Sequence, residues 1–178
     1  MSRSLEKFNN SIKDAESLMA LFNAHSKDDP IGTEVLKRAG FVMAFTAWET
    51  YVEDCLVEKL EVRLLMIKDS FIGKFFQKKL DEELKRFNTP NVEKTRKLYR
   101  DFLGIEDITK AWNFSNYTQE SAKKQLNEFV EKRGEIVHHS KDNETVSCPD
   151  MVKISDLKKL INFFKGLAPT FDKSLETI

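Results

Sequence analysis

From Thr33 to about Lys68 the chain repeats large apolar residues at steps of three and four: Leu36, Phe41, Phe45, Trp48, Val52, Cys55, Leu56, Leu60 and Leu64. Such spacing returns a side chain to the same face at every turn, so it predicts one long helix with a buried stripe. Ala39, Gly40, Ala44 and Ala47 lie between the bulky residues of its first half and let other helices approach closely. A helix this long and this apolar must be covered along most of its length, which makes it the central helix of an antiparallel all-α bundle.

The remaining segments supply the cover. Leu5, Phe8, Ile12, Ala15, Leu18, Met19 and Phe22 predict a first helix from Ser4, its N-cap, to about Ala24. The breaker-rich run Ser26 to Gly32 ends it, and Thr33 is expected to cap the central helix. Ser70 to Phe87 reads as a helix whose apolar face is Phe71, Ile72, Phe75, Phe76, Leu80, Leu84 and Phe87. Asn88-Thr89-Pro90-Asn91 breaks the chain before a short helix from Val92 to Leu103, and Glu106 to Trp112 adds one or two turns. Thr118 caps a helix from Gln119 to about His139. Ser140 to Val152 is polar and turn-rich, and its pair Thr145-Val146 is the only strand signal. A terminal helix starts at Ser155-Asp156, and Pro169 is expected to break or kink it.

At 178 residues the chain is expected to form a single domain over 1–178. Basic and acidic residues balance at 29 each, so attraction of a polyanion has to come from a local patch. Cys55 falls in the apolar stripe and Cys148 in a polar turn, which argues against a disulfide framework. The first residues lack the apolar run of a signal peptide and no apolar stretch is long enough to span a bilayer. A cytoplasmic protein without a membrane segment is the expectation.

Most of the chemistry sits near the end of the Gln119–His139 stretch. Arg133 is followed after four residues by His138 and then His139, and the only other histidine is His25. Arginine holds a phosphate through two parallel charge-assisted bonds, and histidine moves protons near neutral pH. The pair therefore points to phosphodiester chemistry, although a solvated arginine and two helix-end histidines would give the same spacing. Glu49 and Glu53 lie one turn apart on one face of the central helix. Glu49 stands beside the aromatic stripe, where burial would require a cationic partner such as Arg133. Lys94, Arg96, Lys97 and Arg100, with Tyr99 and Phe102, form the most one-sided basic cluster, equally readable as an ordinary solvated helix face.

Several of these elements occur together in one order. They are Phe41-x3-Phe45-x2-Trp48-Glu49-x-Tyr51-Val52, then Asn88-Thr89-Pro90-Asn91 through Leu98-Tyr99, then Phe102-Leu103-Gly104-Ile105-x2-Ile108-x3-Trp112, and finally Arg133-Gly134-x-Ile136-Val137-His138. In this the chain resembles the HEPN superfamily, and within it the RiboL-PSP-type HEPN domains, over roughly residues 35 to 140. Residues 155–178 would then form a C-terminal helix packed on the bundle. The resemblance implies an all-helical fold, usually a homodimer, and in many members a metal-independent ribonuclease of toxin-antitoxin or antiviral systems. Others are non-catalytic modules that bind nucleotides, RNA or proteins. By position the catalytic pair falls on Arg133 and His138, with His139, Glu135 and Glu49 in supporting places. Lys132, Arg96, Lys97 and Arg100 are the candidate phosphate contacts. No metal and no cofactor are implied; the partners would be an RNA substrate, a second copy and an antitoxin protein. Gly134 stands where the wider superfamily often has a polar residue, which favours the non-catalytic alternative.

Five residues of ideal helix rotate by about 500° and rise roughly 7.5 Å. Arg133 and His138 then converge only if the helix distorts near Gly134 or if a twofold axis brings a second motif alongside. In the second case neutral His138 would take the proton of a ribose 2′-hydroxyl as it attacks phosphorus. Arg133 would meet the growing charge, and a protonated histidine would assist the leaving 5′-oxygen. A different reading groups His138, His139, Asp142 and Cys148 as a metal site.

Overall fold

In this computed structural model residues 1–139 and 152–176 are described, except for the side chains of Pro30, Ile31 and His139. The chain forms α1 (Arg3–His25), α2 (Pro30–Leu64), α3 (Phe71–Leu84), α4 (Val92–Leu103), a 3-10 turn (Ile108–Ala111), α5 (Gln119–His139) and α6 (Ile154–Glu176). The architecture is the all-α bundle with a long central helix that the apolar periodicity predicts. The Thr145-Val146 strand signal lies outside the described residues.

Two helix starts fall earlier than expected. Ser2, in an extended conformation, caps α1 by accepting from the Leu5 amide. Ser4 lies inside the helix and donates its hydroxyl to Glu58 of α2. Asp29 caps α2 by accepting from the Gly32 amide, and Pro30 takes the first turn, where its missing N–H costs nothing. Thr33 instead donates its hydroxyl to the Asp29 carbonyl at 2.7 Å. The Asp-Pro pair therefore starts the helix rather than ending the preceding segment.

α1 and α6 both lie along α2. Phe8 touches Tyr51, and Lys7 pairs with Asp54, so α1 runs against α2. α6 runs with α2, because Phe164 meets Phe45 and Trp48 while Phe171 meets Trp48 and Tyr51. α5 opposes α6, with Tyr117 just before it against Phe163 and Lys132 near its end against Asp156. The centre is aromatic: Trp48, Trp112, Tyr51, Tyr99 and Phe171 are all essentially inaccessible. Both buried tyrosines find acceptors, Tyr51 at the Ala168 carbonyl and Tyr99 at the Val52 carbonyl, each at 2.8 Å. Cys55 is buried among them, as its place in the stripe predicts.

Pro169 does not break α6, which continues to Glu176. Phe171 and Leu175 are buried beyond it, and that burial outweighs the one hydrogen bond a proline removes. α4 ends as expected at Gly104, whose φ of +70° suits a residue without a side chain.

α3 departs most from its pattern. Phe76 packs edge-on to Phe102 of α4 and Leu80 is buried, but Phe71, Ile72 and Phe75 are exposed. Gly73 sets this geometry, since a Cβ there would lie 2.0 Å from the Ile67 carbonyl oxygen. The first turn of α3 thus sits directly on the backbone that leaves α2, with its apolar face outward. Among the described residues no helix is long and apolar enough to cross a membrane.

Candidate functional site

The Asn88–Asn91 breaker holds the site together. Asn91 caps α4 by accepting from the Lys94 amide at 2.8 Å, and Lys94 in turn donates to the Asn88 carbonyl at 2.6 Å. Between them Thr89 takes a φ of 52°, a left-handed backbone that is a genuine outlier for a β-branched residue. Its neighbour Pro90 already disfavours the right-handed helical region at this position.

Three elements meet on Thr89. Its amide donates to Glu49 Oε2 of α2 at 3.0 Å, and its hydroxyl accepts from Arg133 Nη1 of α5 at 2.8 Å. A second tie to α5 lies nearby, where the Val92 amide donates to Asn127 Oδ1 at 3.3 Å. Glu49 and Arg133 therefore meet through Thr89 and not as the direct pair expected. Among the described residues no ion pair joins them, and threonine lies between carboxylate and guanidinium. Thr89 was not singled out by sequence; a β-branched residue before proline inside a breaker was the available signal.

Glu53, one turn beyond Glu49, is half-buried. Burial first, then the negative charges of Glu49 and Asp54, push its carboxyl up from 4.5 to about 7. Below 4.5 the group is protonated in folded and unfolded chains alike. As pH rises towards 7 the unfolded chain ionises first, so the folded state loses stability across that window. Glu53→Gln should accordingly melt with the parent protein at about pH 4 and above it at about pH 8. Parallel melting curves across the range would show that Glu53 ionises normally.

α5 remains α-helical through Gly134, so the helix itself does not bring Arg133 and His138 together. Arg133 is half-buried, while His138 and Glu135 are exposed. Among the described residues a Cβ at Gly134 would meet nothing within 4 Å. The His139 side chain, Asp142 and Cys148 lie outside the described residues, and among those described no cluster of metal-ligating side chains occurs.

The basic candidates are answered by acids. Lys132 pairs with Asp156, and Arg96 pairs with Glu93 and Asp107. Lys97 lies 3.2 Å from Asp101, which also lies 3.5 Å from Arg100. The one-sided cluster of the sequence is thus largely neutralised in space. Lys132 also holds the Asp156 carboxyl below its ordinary range, against the opposing effect of burial.

The family model described as RiboL-PSP-HEPN matches residues 5–177, taking in α1 and α6 as well as the 35–140 stretch. No curated protein and no solved structure matches the chain.

Proposed function

The chain belongs to the RiboL-PSP-HEPN family, and from that premise we propose that it is a metal-independent endoribonuclease whose cleft forms between two copies. Membership points to an RNase-like or RNA-binding role. The observation that carries the cutting role is the mooring of Arg133 to the strained Thr89, with His138 exposed farther along the same unbroken helix. A guanidinium held in one place is preorganised for a phosphate whose charge grows during reaction. An exposed imidazole five residues on is free to serve an adjoining copy.

In this reading His138 takes the 2′-hydroxyl proton and the oxygen attacks phosphorus. Arg133 stabilises the non-bridging oxygens, and an imidazolium protonates the departing 5′-oxygen. His139, Glu135 and Glu49 support the pair. Lys132, Arg96, Lys97 and Arg100 guide phosphates only so far as their carboxylate partners release them. A toxin-antitoxin or antiviral setting, with an antitoxin protein as partner, fits such an activity.

Gly134 favours a second reading. With open space where a side chain would stand, the same cleft can bind a nucleotide, RNA or a protein without cutting. Incubation with single-stranded RNA in excess chelator separates the two. The nuclease should leave 2′,3′-cyclic phosphate ends, spare DNA of the same sequence and lose activity in His138→Ala. Saturable RNA binding without product at any pH would establish the binding module instead.

A further inference from the structure

The elbow between α2 and α3 exposes apolar side chains that nothing among the described residues covers. Met66 is 96% exposed and Phe71 84%, and Val62, Leu65, Ile72 and Phe75 are exposed with them. Val62 lies near the end of α2, Leu65 and Met66 lie in the turn that leaves it, and Phe71, Ile72 and Phe75 share one face of α3. The close seating of Gly73 on the Ile67 backbone holds the first turn of α3 against the turn that leaves α2. With Ile67 they make seven exposed large apolar residues between Val62 and Phe75. Isolated surface leucines need no explanation, but a patch of this extent marks an interaction surface.

The charges beside it select the occupant. A groove between the end of α2 and α3 carries three cations, Lys68, Lys74 and Lys78, against one carboxylate, Asp81, and Lys74 and Lys78 follow Phe71 and Phe75, respectively, by three residues on α3. Lys79 is answered by Glu82, whereas Lys68, Lys74 and Lys78 have no ion pair among the described residues. A second copy docking here would bring the same lysines towards each other. We propose that the α2–α3 elbow docks an amphipathic helix of another protein, its apolar stripe on Met66, Phe71 and Phe75 and its acidic flank on the three lysines. Helices lie in apolar grooves through anchors at i, i+3, i+4 and i+7, and rim charges set the partner's sign. The inference does not rest on the nuclease reading. Val62 lies about 20 Å along α2 from Glu49, so a twofold axis near Arg133 would leave this surface open.

The test uses the full chain and two labelled synthetic helical peptides with the same leucine stripe, one flanked by glutamates and the other by lysines. By fluorescence anisotropy the glutamate peptide should bind at least about tenfold more tightly, and less so as salt rises. A double variant, Phe71→Ser with Phe75→Ser, should lose that binding while keeping its melting temperature, because both side chains are exposed. Lys74→Glu with Lys78→Glu should reverse the preference between peptides. The proposal is overturned if the peptides bind equally or not at all. It is equally overturned if Phe71→Ser abolishes a self-association seen by sedimentation, or if vesicles containing phosphatidylserine occupy the patch and the glutamate peptide does not.

Discussion

Arg133→Ala should lower kcat/KM for single-stranded RNA by at least about 100-fold while the fold survives. Removing one preorganised donor from a site where charge develops typically costs two to three orders of magnitude, roughly 3 to 4 kcal/mol in the transition state. Its structural cost is far smaller. The bond to Thr89 Oγ1 is partly buried, and its loss should destabilise the fold by about 1 kcal/mol. Arg133→Lys separates charge from geometry: an ammonium keeps the charge but lacks the planar fork, so binding should recover more than turnover. Cleavage assays in chelator, paired with thermal melts of each variant, give both numbers. Parent-like turnover in Arg133→Ala would end the nuclease proposal. A collapse of the melting temperature would make the residue chiefly structural.

The largest effect on stability is expected at Trp48. It is fully buried, stacks on Phe164 at 5.2 Å and 7°, and meets Tyr51, Trp112 and Phe171 at tilted or edge-on angles. Trp48→Ala opens a cavity that these rings cannot close together, at a cost of about 3–5 kcal/mol. For a chain of this size that lowers the melting temperature by roughly 10 °C. Trp48→Phe should cost much less, because the buried indole Nε1–H has no acceptor among the described residues, so its removal breaks no hydrogen bond there. Denaturant melts that placed the alanine variant within about 1 kcal/mol of the parent would contradict the packing described here.

Periodicity was enough to find the helices that bury a full stripe. α4 and α5 appear where their apolar spacing puts them, and the central helix runs Pro30–Leu64 against the expected Thr33 to about Lys68, since covering such a stripe admits few alternatives. Boundaries were harder, because one residue can be read two ways. Asp29-Pro30 looks like a stop when approached from α1 and is the start of α2. Pro169 looks like a break until Phe171 and Leu175 are seen to be buried beyond it. The face of α3 was misread for a more general reason: spacing shows that residues share a side, not that anything lies against it.

The candidate site divides in the same manner. That Glu49 and Arg133 lie near one another could be read from residue types and burial pattern. The mediator could not, because Thr89 acquires its role only when the α3–α4 loop folds back between α2 and α5. Nor could the neutralisation of the basic cluster, since Asp107 reaches Arg96 from outside that helix.

That left-handed threonine alters the energetics of binding. Such a backbone costs on the order of 1–3 kcal/mol, borne because neighbouring groups hold it. On the nuclease reading that cost is met in the empty protein, so the guanidinium has little freedom left to lose when a phosphate reaches it. Thr89 then behaves as a fixed bracket, keeping the arginine aimed while the groove is empty so that an incoming nucleic-acid backbone finds it already in place.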